Sequence, residues 1–190
     1  SVPAPAPATS APAAAIAGGG CGATAGSGEG VRVGVLTVSD AISRGDMENK
    51  SLVVAKEQVQ LLFAGKRTPV FTDGTCSQDA PAIDVILKSW CDTLRLDLVL
   101  TIGGTAFGPR DIVPECTSAV LHRHAPSLVT AMLVKGLAAT AMAPLSRQVA
   151  GVRNSTLVIN LPGSPKAVAE ALEAIARCVP HAISQLHPKQ

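Results

Sequence analysis

The chain has 190 residues, 47% of them hydrophobic and 16% charged, and a formal net charge of +2. That length allows one domain with a sizeable core, and the composition is globular rather than disordered as a whole. No basic cluster is present, and three Phe, one Trp and no Tyr leave few stacking platforms, so the chain is not expected to bind nucleic acid.

Residues 1–29 are almost wholly Ala, Pro, Gly, Ser and Thr, with little beyond Ile16 to bury. Such a segment is expected to be a disordered tail or a linker. The folded domain is expected to cover 30–190. Val31 to Val38 is apolar and β-rich, so it reads as a central strand. Residues 41–50 read as a polar loop. Ser51 to Phe63 has near-helical apolar spacing. Thr68 to Thr72 reads as a short strand, and 73–78 as a turn. Ala80 to Cys91 places Ile83, Ile86, Leu87 and Trp90 on one helical face.

Asp97 to Ile102 is the most apolar strand. Pro114 to His122 and Pro126 to Leu137 read as helices, each opening on a proline that a first turn tolerates. Residues 140–155 read as loop or short strand. Thr156 to Leu161 is a further strand. Lys166 to Leu186 reads as a long helix that Pro180 bends or divides. Strands spaced by helices predict an α/β fold: a three-layer sandwich, its mostly parallel sheet covered by helices on both faces.

The five cysteines are widely spaced and form no CxxC. A reducing compartment, hence the cytoplasm, is the expected setting. Cys76, Cys91, Cys116 and Cys178 read as single buried thiols, and the four histidines as structural or surface residues. No run of eighteen lipid-compatible residues occurs, so no membrane span is expected.

Ligands of such sheets sit beyond the carboxyl ends of the strands. Three polar segments fall there: Ser39-Asp40, Gly103 to Asp111, and Asn160 to Lys166. Gly103-Gly104-Thr105 offers backbone N–H groups to an anion. Arg110 supplies a bidentate phosphate contact. Asp111 supplies a carboxylate for a metal or a proton. Asp111 and Glu115 also read as helix-start residues that favour the dipole. Asp40 suits a magnesium water, a substrate amine or a plain strand-end turn. Ser146 and Arg147 suit a phosphate and its charge. Pro162, Gly163 and Ser164 open the last helix, whose free N–H groups accept an anion. The glycine spacing is neither GxGxxG nor a P-loop. The histidines imply no Ser–His–Asp or Cys–His arrangement, so hydrolysis through an acyl intermediate is not expected.

Four segments resemble one family. They are Leu36-Thr37-Val38-Ser39-Asp40, the run Leu100 to Thr117 (LTIGGTAFGPRDIVPECT), Met142 to Arg147 with Gly151-Val152-Arg153, and Leu157 to Ala167 (LVINLPGSPKA). From about Val31 to its end the chain resembles the G-type domains of molybdenum cofactor biosynthesis, of the MoaB/MogA and gephyrin type. The resemblance implies an α/β sandwich that trimerises and acts as a molybdopterin adenylyltransferase. Molybdopterin and ATP would be substrates, and Mg2+ the cofactor. An E-type domain that inserts molybdate, on the same full-length chain or apart, would be the partner.

By the same resemblance, Asp111, Asp40 and Asp79 would be catalytic, with Asp111 and Asp79 on the metal. Ser39, Gly103, Gly104, Thr105, Arg110, Glu115, Ser146, Arg147, Asn160, Pro162, Gly163 and Ser164 would bind substrate. The chain departs from the family at four positions. Ala106 stands for a glycine, at a cost if that position needs positive φ. Ser127 and Leu52 also stand for glycines. Gln78 stands where many members have an aspartate that resembles a catalytic metal ligand, leaving Asp79 or Asp73 to replace it. A molybdopterin-binding or scaffolding module with reduced or lost turnover is the alternative. A relative of the competence/damage-inducible type is a third reading.

Overall fold

The computed structural model describes residues 30–188. The expected tail, 1–29, lies outside the described residues. A six-stranded sheet runs in the order β2-β1-β3-β6-β5-β4. Its strands are β1 (Gly30–Val38), β2 (Thr68–Cys76), β3 (Leu98–Ile102), β4 (Arg123–His124), β5 (Ala150–Arg153) and β6 (Thr156–Leu161). β2, β1, β3 and β6 are parallel neighbours, whereas β5 is antiparallel to both β6 and β4. The mostly parallel sheet expected from sequence is therefore present.

The helices are α1 (Asp40–Ser43), α2 (Lys50–Phe63), α3 (Ala80–Lys88), α4 (Val113–Val120), α5 (Pro126–Ala139), α6 (Pro165–Ala174) and α7 (Cys178–Leu186). Alternate residues of the strands point to opposite faces, which divides the core in two. On one face Val31, Val33, Val35, Leu98, Leu100, Leu157 and Ile159 pack with residues of α2, α5, α6 and α7. On the other, Leu36, Val38, Val99 and Val158 pack with Ile83 and Leu87 of α3 and Val113 and Val120 of α4. Burial of this kind yields roughly 25 cal/mol per Å² of apolar surface, so both faces need a helical cover.

Several elements differ from the sequence reading. β2 continues to Cys76, through residues expected to turn, because it pairs with β1 along the whole register from Gly30–Thr68 to Val38–Cys76. A short helix, α1, occupies the start of the expected 41–50 loop because Ser39 Oγ caps the Ile42 N–H at 3.4 Å. The helix after Ala80 passes into a π-helical turn at Ser89–Thr93. That turn lays Trp90 over Gly34, where an added Cβ would lie 2.5 Å from the indole. The expected long last helix is two. It breaks at 175–177, and Pro180 sits in the first turn of α7, where its missing N–H costs nothing. The expected fully buried thiols hold for Cys76 and Cys91 only; Cys116 is half-buried and Cys178 exposed. No helix among the described residues is long and apolar enough to cross a membrane.

Candidate functional site

The carboxyl ends of β1, β3 and β6 lie side by side, so the three polar segments share one sheet edge. The amino end of β5 reaches the same edge and brings Ser146 and Arg147 with it. At the centre is the turn after β3. Gly103 has φ +91° and Gly104 φ +61°, which L side chains rarely adopt. A Cβ on Gly103 would meet the Val38 carbonyl at 2.8 Å, and one on Gly104 would meet Val113 Cγ2 at 2.6 Å. Both glycines are thus required twice over, by φ and by space. Gly163 comes close as well, since its Cβ position is 3.6 Å from the Gly103 Cα. Ser51, at the start of α2, donates to the Gly163 carbonyl at 2.7 Å and fixes this second loop.

Asp40 and Asp111 face the turn from either side of Gln78. The Gln78 backbone N–H donates to Asp40 Oδ1 at 3.0 Å, and its Nε2 donates to Asp111 Oδ1 at 3.1 Å. Gly108 N–H donates to Asp111 Oδ2 at 2.9 Å. Arg110 reaches Asp40 at 2.9 Å while its own side chain stays 63% exposed, so its guanidinium is both paired and open to a ligand.

Arg147 has a different place from the one expected. Its Nε donates to the Ala106 carbonyl at 2.8 Å, and its backbone N–H to the Thr105 carbonyl at 2.8 Å. Its terminal nitrogens bond Glu115 and the Asp111 carbonyl, and its guanidinium lies over the Phe107 ring, 5.6 Å from the centroid. Three of its five N–H donors are thus on protein acceptors, and Arg147 ties together the 105–111 loop. Glu115 is its counter-ion, and the hydrogen bond from Arg147 holds the Glu115 carboxyl below its ordinary range. Ser146 Oγ and Thr105 Oγ1 are 3.0 Å apart, which ties the two loops together. Ala106 is not among the positive-φ residues, so its Cβ carries no backbone strain.

Two further expectations are corrected. Asn160, expected at the ligand, has its side chain in the core. It is fully buried under α4, where Nδ2 donates to Thr101 Oγ1 and Thr117 Oγ1 at 2.8 Å each and Oδ1 accepts from Val149 N–H at 3.1 Å. Neither proposed substitute for the carboxylate at Gln78 reaches the site. Asp79 caps α3 by accepting from Ala82 N–H at 3.1 Å. Asp73 lies within β2, opposite Val35, and pairs with Lys56 at 2.7 Å. Among the described residues no three His, Cys, Asp or Glu side chains gather at metal-binding distance.

Sequence reasoning missed two features. One is the hydrogen bond from Gln78 to Asp111, which arises from contacts across the edge. The other is a cavity of about 170 Å³ beside the turn, between α5 and α6. Met132, Leu133, Gly136 and Ala171 form its apolar wall, and Ser146 and Pro162 join it to the turn. Gln148 also lines it, and its buried Nε2 has no protein partner. No motif signalled the cavity, whose lining comes from separate elements.

A doubly covered, mostly parallel sheet with a glycine turn and a helix N-terminus at one edge defines an α/β sandwich with a loop-built edge. Residues 34–181 match the family described as "Probable molybdopterin binding domain", and the chain belongs to it. It is 36% identical over 154 residues to the molybdopterin adenylyltransferase of Helicobacter pylori, covering 80% of this chain and 86% of that one. It is 38% identical over 163 residues to gephyrin of Dictyostelium discoideum, covering 83% of this chain and 23% of that protein. The chain spans about a quarter of the length of such larger curated relatives. In fold it is similar to the molybdopterin biosynthesis enzyme MoaB of Thermus thermophilus, with TM-score 0.75 and 42% identity, covering 84% of this chain and 98% of that one.

Proposed function

We infer that this domain is a molybdopterin adenylyltransferase, which transfers AMP from MgATP to molybdopterin. The observation that carries the reading is the meeting of the Gly103-Gly104 turn, Asp111 and the Pro162–Ser164 loop at one sheet edge. In the reaction a terminal phosphate oxygen of molybdopterin attacks the α-phosphorus of ATP. The bond from that phosphorus to the β-phosphate bridging oxygen breaks, and pyrophosphate leaves. Such a transfer depends on alignment and on charge stabilisation rather than on a protein nucleophile.

Gly103, Gly104 and Thr105 supply the cradle for phosphate. The N-terminus of α6 at Pro162, Gly163 and Ser164 supplies a second anion site. Arg110 adds a cation, and Ser39 and Asp40 border the pocket. The 170 Å³ cavity is the place for a planar ring end of a substrate. Asp111 would hold the magnesium, which when bound neutralises phosphate charge. Ser146, Arg147 and Glu115 keep the cradle in shape.

A homotrimer is part of this proposal. Val134, Leu137, Met142 and Leu145 leave α5 and the following turn with exposed apolar side chains. So are a single domain over 30–190 with residues 1–29 as its tail or linker, a molybdate-inserting E-type partner, and the cytoplasm as the setting. A second reading, a molybdopterin-binding module with reduced turnover, is favoured by the amide that Gln78 places on Asp111. Incubation with MgATP and molybdopterin distinguishes the two. Pyrophosphate release that falls by roughly a hundredfold or more in Asp111→Asn fits the enzyme. Tight molybdopterin binding without pyrophosphate release fits the module and overturns the enzyme.

A further inference from the structure

We propose that Gln78 holds Asp111 closed against divalent cations, and so sets the metal concentration at which this site works. The inference rests on the reading of Asp111 given above. Each Asp111 oxygen already carries a donor: Gln78 Nε2 at 3.1 Å on Oδ1 and Gly108 N–H at 2.9 Å on Oδ2. An ionised carboxylate only accepts, so the amide nitrogen of Gln78, and not its oxygen, must face Oδ1. A cation that approaches Oδ1 on that side meets amide hydrogens with partial positive charge. It binds only once that hydrogen bond is broken.

The residue that carries the amide is anchored through its backbone. Its backbone N–H is fixed on Asp40, which Arg110 pins in turn at 2.9 Å. Its Nε2 lies beside Gly104, where a Cβ would sit 3.5 Å away. An aspartate at this position would present a carboxylate where Gln78 presents a donor, and would reverse the sign of the contact. Gln78 is thus a positioning residue that acts through Asp111.

The test is Mn2+ titration of the full chain, read by electron paramagnetic resonance. Gln78→Met keeps the length of the side chain and removes the amide. It should bind Mn2+ roughly 5- to 30-fold more tightly than the parent, the span of a partly solvated hydrogen bond to a charged group. Gln78→Asp should bind at least as tightly as Gln78→Met, and adding Asp111→Asn to either variant should abolish the gain. Binding by Gln78→Met that is unchanged, weaker or absent overturns the proposal; weaker binding would make Gln78 Oε1 a ligand instead. Pyrophosphate release judges the enzyme reading separately. A parent chain that turns over while Gln78→Met gains no affinity sinks the brake alone. A chain that never turns over while Gln78→Met gains affinity keeps the brake and loses the enzyme.

Discussion

Asn160→Ala separates a structural role from a ligand-binding one. The side chain sits at 0% exposure beneath α4 and makes three hydrogen bonds, to Thr101, Thr117 and Val149. Alanine removes all three and leaves a small void in a close-packed face. Thr101 and Thr117 are themselves fully buried, so neither hydroxyl gains a water in exchange. Each orphaned buried group costs about 1–3 kcal/mol. Val149 is half-buried and its N–H can find water, which places the sum near the lower end, about 4 kcal/mol. For a domain of this size that is a fall in melting temperature of roughly 8–16 °C. Asn160 touches no surface of the cradle, so KM for ATP should stay within about twofold below the new transition, since nothing that orients substrate has moved. Differential scanning calorimetry and initial-rate measurements read the two quantities. An unchanged melting temperature with a raised KM would refute the structural assignment.

The Arg147–Glu115 pair should make the 105–115 loop acid-sensitive. The folded Glu115 pKa lies below its ordinary value of 4.5, so the pair contributes above that value and is lost as pH falls below it through the depressed one. Amide resonances of Ala106 and Gly108 should shift in that window, and Arg147→Gln should remove the transition. Burial pushes the Cys76 and Cys91 thiols up to about 11, so at pH 8 both should resist a thiol reagent until the chain unfolds, while exposed Cys178 reacts at once. Rapid modification of Cys76 in the folded chain would contradict the packing of that face.

Local pattern carried much of this protein. Apolar runs and helical spacing placed four parallel strands and most helices, because burial on both faces of a parallel sheet writes itself into composition. The Gly103-Gly104 turn was legible too, since positive φ and a carbonyl 2.8 Å from the Cβ position leave glycine as the residue that fits. The sharing of one edge by three loops followed from strand direction. Contacts between distant segments decided the rest. Asn160 and Arg147 look alike as ligand residues when read along the chain, yet one is buried against Thr117 and the other bonds the 105–115 loop. Asp79 is a candidate metal ligand in sequence and a helix cap in space. Gln78 shows the limit most plainly. Its identity was visible as a missing carboxylate, but only the fold brings its amide to Asp111, 33 residues away. A hydrogen bond is set by distance and direction between atoms, and sequence order fixes neither for residues on separate elements.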